Sequence, residues 1–500
     1  MRHEGRELSP GDVVEFSRAD FFRYAVLGMA MDASGFGRKF RDPVRVSIVT
    51  LLYKTTAEEF TAYTETLLAS MQGSPLELEV VIVENTGEDY GDRVHNRELA
   101  LSKGFLYREA DKNLGFANGC NFGAEIATGD VIVFVNDDTT FPEPWLDKLV
   151  APLINEPKVA VCGATLEDES GKSYANYDCF DWVCGAVFAV RRWQWELCGG
   201  FDRRYFFSWE ETDYCRLWAK LGFEIRKTAA RVIHKGGETV VLSDFSRHWL
   251  GRGGEIYGQK WEKTDRIVAS MLVGNEANRY LEDSIDWLLP RTSVIVIVDD
   301  GSTDGTFEIL KAYEDKFPDK IRLYRHPKPI FPEDEHLARE SLHFKALKEN
   351  PAFIIPLDAD EELSARFDYV VKELMASSVV AFNFPIIHLW GDYEHRRVDN
   401  LWGKQANIRF YRVLWSEPQE FMAAPLHCGS CPAYAYRLKQ DRNDVALVHK
   451  GWIKLEDFER KKKRNLEVDP YGYMEPQSHW ESEPQLQVWH DDHRVITWKL

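Results

Sequence analysis

Long apolar runs are missing from this chain. The longest, such as Val294–Val298, are strand-length and fall well short of the ~20 apolar residues that a membrane-spanning helix needs. Cysteine is scarce, with 8 residues in 500 and no regular spacing. That excludes a disulfide-stapled secreted scaffold and fits a reducing compartment. Basic charge is not in excess either. Lys and Arg number 62 against 81 Asp and Glu, for a formal net charge of −19. A protein that holds nucleic acid through its phosphates needs the opposite balance, so no nucleic-acid partner is expected. Apolar residues at 44% and charged residues at 29% exclude a globally disordered chain. The charged start, Met1–Glu7, leads into no signal-peptide core. The expectation is a cytoplasmic protein of several domains, each with its own core.

What the sequence does contain is a long internal repeat. One copy opens with the apolar stretch Val46–Leu52, the other with Arg266–Leu272. A helical pattern follows each, over Ala57–Met71 and Ala277–Leu289. A second apolar strand then ends in acid: Val80–Val83 before Glu84-Asn85, and Val294–Val298 before Asp299-Asp300. A later strand ends in Asn136-Asp137-Asp138 in the first copy and in Asp358-Ala359-Asp360-Glu361 in the second. Each copy closes on His-Lys-Gly, at His234-Lys235-Gly236 and His449-Lys450-Gly451. Apolar strands alternating with helices predict an α/β fold built from βαβ units around a mostly parallel sheet. The reading divides the chain into an extension at 1–44, domains at 45–262 and 263–455, and a helical, Trp-containing extension at 456–500. The leader carries one short helical pattern, Asp20–Met31.

In such sheets ligands gather beyond the carboxyl ends of the strands, where all these acids fall. Two carboxylates two residues apart can turn oxygens toward one Mg²⁺ or Mn²⁺, which leaves positions for phosphate oxygens. Taken alone, such a pair more often just ends a strand and satisfies its own backbone. Its recurrence with an upstream acid and a downstream histidine favours a site. Neutral imidazole suits a further metal ligand. Glu210, Glu211 and Asp213 cluster at a predicted helix start. There they either complement the helix dipole or supply a general base. The glycines of Asn113–Gly119 and Gly301–Gly305 match neither a P-loop nor a dinucleotide fingerprint.

Both copies resemble family 2 glycosyltransferases of the GT-A fold, which use nucleotide-sugar donors. The second carries Val298-Asp299-Asp300-Gly301-Ser302-Thr303-Asp304-Gly305-Thr306 and Leu357-Asp358-Ala359-Asp360-Glu361. The first is similar to rhamnosyltransferase-type members through Asn113-Leu114-Gly115-Phe116-Ala117, Asn136-Asp137-Asp138, Gly199-Gly200-Phe201-Asp202, Glu210-Glu211-x-Asp213-x-Cys215-Arg216 and Lys260-Trp261. The resemblance implies two tandem GT-A domains. It places Glu84, Asn85, Asp299 and Asp300, with Asn136 and Asp137, at the donor. It assigns Asp138, His234, Asp358, Asp360 and His449 to Mn²⁺ or Mg²⁺. It makes Glu211 the base, with Glu210 or Asp213 as alternatives. The second copy has no matching Glu-rich helix start, and its candidates are Glu420 and His427.

The implied partners are UDP-, dTDP- or GDP-sugar donors and a glycan or lipid-linked glycan acceptor. The implied reaction is two successive inverting transfers onto a growing surface glycan. The alternative is one active module beside a degenerate one that only binds. The pair Cys428-x-x-Cys431 reads as structural thiols. The basic run Arg460–Arg464 reads as a solvated helix face, with contact to the inner face of a membrane as the alternative.

Overall fold

The computed structural model describes residues 43–87, 91–173, 182–235, 244–332, 334–399, 404–422, 429–457 and a few short pieces beside them. The predicted helix Asp20–Met31, His427, Cys428 and Lys461–Arg464 lie outside the described residues. The chain divides into two compact units, Met1–Lys263 and Thr264–Leu500.

In the first unit, strands β1 (Arg45–Leu52), β2 (Glu77–Glu84), β3 (Leu106–Glu109), β4 (Val131–Val135), β5 (Thr139–Thr140), β6 (Val159–Glu167), β7 (Val187–Arg191) and β8 (Glu224–His234) form one sheet. Their order is β3-β2-β1-β4-β7-β6-β8-β5. The stretch β3-β2-β1-β4 is parallel, and β7 then runs antiparallel to both β4 and β6. Continuous apolar runs such as Val80–Val83 and Val131–Val135 are buried throughout, as strands covered on both faces must be. Helix α1 (Ala57–Ser70) starts on a capping box, in which Thr56 and Glu59 each accept from the other's backbone N–H. The remaining helices of this unit are α2 (Arg93–Ser102), α3 (Gly115–Ala124), α4 (Leu146–Asn155), α5 (Arg192–Cys198), α6 (Glu210–Lys220) and α7 (Asp244–Trp261). The core joins Val46, Ile48, Phe60, Leu67, Val133, Trp145 and Leu149.

The second unit repeats the design. Strands β9 (Ile267–Val273), β10 (Val294–Asp299), β11 (Ile321–Arg325), β12 (Phe353–Pro356), β13 (Glu361–Leu363), β14 (Ala381–His388), β15 (Ala406–Arg412), β16 (Gln440–Arg442) and β17 (Leu447–His449) build its sheet. The order is β11-β10-β9-β12-β15-β14-β17-β13, with β16 beside β14. This is the same path as in the first unit. Its helices are α8 (Leu281–Leu288), α9 (Thr306–Lys316), α10 (Glu335–Leu347), α11 (Arg366–Ala376) and α12 (Ala433–Arg437).

One sequence expectation needs correction. The helix predicted from Ala277 begins only at Leu281, because Asn275 and Asn278 adopt left-handed backbone at φ 57° and 61° and hold the preceding segment as a loop. In the C-terminal extension, Leu486–Val488 pairs antiparallel with His395–Arg397.

The described cysteines Cys120, Cys162, Cys184, Cys198, Cys215 and Cys431 are free thiols. Among the described residues no helix is long and apolar enough to cross a membrane.

Candidate active site

In each unit a short strand just after the acidic motif pairs with the strand that ends in histidine. Thr139 faces His234 across β5 and β8, and Glu361 faces His449 across β13 and β17. Sequence-distant residues are thereby brought side by side at the carboxyl end of the sheet. His234 Nε2 lies 3.0 Å from Asp138 Oδ1, and His449 Nε2 lies 3.4 Å from Asp360 Oδ2.

In the first unit, Asn136 Nδ2 also lies 3.4 Å from His234 Nε2. Asn136 Oδ1 and Asp138 Oδ1 are buried and accept no aligned hydrogen bond among the described residues. Buried oxygens left without an aligned donor suit a hard cation. Asp137 accepts instead from the Thr55 hydroxyl. Burial pushes its carboxyl up to about 7, against that hydroxyl and with a further push from the Asp138 charge.

At the end of β2, Glu84 is buried and accepts from Thr86 N–H at 3.0 Å. Asn85 is turned into the fold. Its Oδ1 accepts from Leu114 N–H at 3.0 Å and its Nδ2 donates to Gly115 C=O at 3.1 Å. Gly115 sits at φ 76°, where an added Cβ would meet the Phe206 carbonyl oxygen at 2.3 Å. Only glycine fits that approach.

Glu210 and Glu211 open α6 after two non-glycine residues in left-handed backbone, Ser208 at φ 69° and Trp209 at φ 77°. Such strain needs support, and the Trp209 indole donates to Leu250 C=O at 3.1 Å. Burial raises both carboxyls, Glu210 the more strongly because the neighbouring Glu211 charge adds to the effect. The backbone of Thr212 and Gly185 opposes the rise at Glu211, so it is the more readily ionised of the two and the better candidate to accept a proton. Asp213 is fully committed elsewhere. Lys260 Nζ is 2.7 Å away, the Trp261 indole donates at 2.8 Å and the Tyr205 hydroxyl at 3.2 Å.

The second unit is more heavily countercharged. Arg339 on α10 and Arg409 on β15 each reach Asp358 at 3.4 Å. Burial raises this carboxyl, but the two guanidinium groups outweigh it and hold it below the usual carboxylate range. Arg409 also grips Glu361 at 2.7 Å and the Ser430 hydroxyl at 2.7 Å. Asp299 is fully buried and pairs with Arg325 at 3.1 Å. Asp300 accepts from His326 Nδ1 at 2.7 Å and from the N–H groups of Ile330 and Phe331 at 2.9 Å each. It thus orders the loop after β11, as Asn85 orders the loop after β3. Glu420 contributes its backbone carbonyl to Ala433 N–H at 2.7 Å.

Sequence reasoning quoted Glu361 within the acidic motif without giving it a role, and it did not single out Thr55, Arg339, His388 or Arg409. Of these, only His388 carried a local signal, a histidine ending an apolar strand as His449 does.

The profile of Glycosyl transferase family 2 matches this chain twice, over residues 47–216 and 271–441. Glucosyl-dolichyl phosphate glucuronosyltransferase of Haloferax volcanii is 30% identical over 123 residues, 25% of this chain and 38% of that protein. Human polypeptide N-acetylgalactosaminyltransferase 10 is 26% identical over 186 residues, 29% of this chain and 30% of that one. The chain therefore spans well under half the length of these curated relatives. A mannosyltransferase from Pyrobaculum calidifontis, solved with GDP-Man and Mn²⁺, aligns with a TM-score of 0.33 at 16% identity, over 44% of this chain and 66% of that one. With both sheets following one path, and with the profile matching in each, the chain belongs to glycosyl transferase family 2 and carries the family's domain twice.

Proposed function

We propose that this chain transfers two sugars in succession from nucleotide-sugar donors onto a growing surface glycan, one transfer per unit, each with inversion. The observation that carries the reading is the convergence of Asp138 with His234, repeated by Asp360 with His449. Among the described residues no cluster of three or more His, Cys, Asp or Glu could hold a metal by itself. Two protein ligands per site would leave coordination positions for diphosphate oxygens and waters.

When bound, Mn²⁺ or Mg²⁺ would act as Lewis acid on the departing diphosphate. Asp138 and His234 would hold it in the first unit, with Asn136 Oδ1 beside them. Asp360 and His449 would hold it in the second, with Asp358 and its two arginines alongside. Glu84 and Asp299 would meet the donor's nucleoside. Glu211 would take the proton of the acceptor hydroxyl as its oxygen attacks the anomeric carbon, and the nucleoside diphosphate would leave from the opposite face. Asp213 is left out of this scheme because Lys260, Trp261 and Tyr205 already occupy it.

A panel of UDP-, dTDP- and GDP-sugars with Mn²⁺ and candidate glycan acceptors, read by nucleoside diphosphate release, tests the proposal. Silence with every donor, once acceptors are supplied, would count against catalysis. A second reading keeps one unit active and makes the other a binding module. It is favoured by the buried glutamate pair in the first unit, for which the sequence of the second offers only Glu420 and His427. The proposed location is the cytoplasm, at the inner face of the membrane where the acceptor is lipid-linked.

A further inference from the structure

The histidine that closes the second unit does not stand alone. His449 Nδ1 lies 2.9 Å from His388 Nδ1, and His388 Nε2 lies 2.7 Å from Gln405 Oε1. The amide oxygen of Gln405 only accepts, so His388 carries its proton on Nε2. A neutral ring then has a bare Nδ1, which accepts from His449 Nδ1–H. That leaves the lone pair of His449 on Nε2, the nitrogen that faces Asp360. The distances agree: 2.9 Å is a good hydrogen bond, whereas 3.4 Å between His449 Nε2 and Asp360 Oδ2 lies outside the usual range.

The ring of His388 is also held sterically. It stands edge-on to Trp402 at 4.9 Å between centroids and at 89° to His449 at 5.0 Å. Trp452 packs against His449 at 6.0 Å and against Trp402 at 5.2 Å. Both the plane and the tautomer of His449 are therefore set by its neighbours.

The first unit lacks this arrangement. His388 pairs in register with His449 on parallel β14 and β17. In the first unit Ile233 pairs with Glu167, so the place beside His234 falls to Asp168. The Asp168 carboxylate is spent on a local turn, accepting from the N–H groups of Ser170 at 2.9 Å and Lys172 at 3.0 Å.

We infer that His388 is a positioning residue of the second unit, fixing His449 in the tautomer and orientation that present Nε2 to a divalent cation held with Asp360. The inference rests on the assignment of His449 as a metal ligand in the proposed function. Metal-bound histidines commonly donate their second ring N–H to a fixed acceptor, and loss of that acceptor typically weakens metal affinity ~10–100-fold.

The test is Mn²⁺ binding followed by electron paramagnetic resonance, with nucleoside diphosphate present, on the full chain carrying Asp138→Ala to silence the first unit. His388→Phe keeps the ring packed against Trp402 but cannot accept a hydrogen bond, and it is expected to weaken Mn²⁺ binding ~10–100-fold. His388→Gln, whose amide oxygen can replace the acceptor, is expected to stay near the parent. Unchanged affinity in the Phe variant overturns the inference, and so does equal loss in both variants, which would make the role one of packing. His449→Ala separates the two levels of the argument. If that change leaves Mn²⁺ binding intact, the ligand assignment itself fails. If it weakens binding while His388→Phe does not, only the positioning role fails.

Discussion

Glu211 and Asp137 differ in what their surroundings ask of them. Burial raises Glu211 less than Glu210, so it stays the more readily ionised member of a buried pair. Glu211→Gln keeps the shape but cannot take a proton. Turnover in the first unit is expected to fall ~10²–10⁴-fold, with nucleoside diphosphate affinity unchanged. Equal loss in both quantities would move Glu211 from the chemistry to the scaffold. Asp137 holds its proton in the fold up to about pH 7, whereas an unfolded aspartate releases it near 3.9. The folded state binds more protons across that window, so this residue's contribution to stability declines as pH rises through it. Asp137→Asn removes the dependence. Its melting temperature, relative to wild type, is expected to be higher at pH 8 than at pH 4, and an equal difference at both values would contradict the buried-acid account.

At the scale of elements, α6 is fastened by α7. Lys260 is fully buried between Asp202 at 3.2 Å and Asp213 at 2.7 Å, and Trp261 adds its indole donor. Removing one partner of such a cluster leaves buried charge without compensation, which typically costs about 3–5 kcal/mol. Lys260→Met should therefore lower the stability of the first unit by about that much in urea denaturation. A change under about 1 kcal/mol would show that the cluster is solvated. The sequence left Asp213, like Glu210, open as an alternative to Glu211 for the base. Only the packing of α7 on α6 distinguishes them, because the groups that engage Asp213 come from Tyr205 and from the far end of the unit.

At the scale of the whole molecule, two units share one strand path and differ in how their acids are countered. Asp358 lies between Arg339 and Arg409, while Asp137 lies against a threonine hydroxyl. If both units work, Asp138→Ala and Asp360→Ala should each abolish a different linkage, as read by product mass and linkage analysis. Chelation of divalent cations should stop both transfers, and Mn²⁺ should restore them. If either substitution leaves every product unchanged, the two-transfer proposal gives way to one active unit and one binding unit.

The amino-acid sequence by itself determined the duplication, the βαβ alternation and the acids at strand ends. All are local: a buried strand needs an apolar run, a covered sheet needs helices between strands, and a chain leaving a strand end bears its polar residues there. What tertiary structure decided lies between strands. Pairing of β5 with β8 and of β13 with β17 carries each histidine to its aspartate. Helix α10 and strand β15 bring Arg339 and Arg409 to Asp358, and β14 sets His388 beside His449. No local pattern encodes those meetings, because they depend on which backbones exchange hydrogen bonds across the sheet. The same dependence gives Asn85 and Asp300, expected from the sequence as donor contacts, hydrogen bonds that also order neighbouring loops.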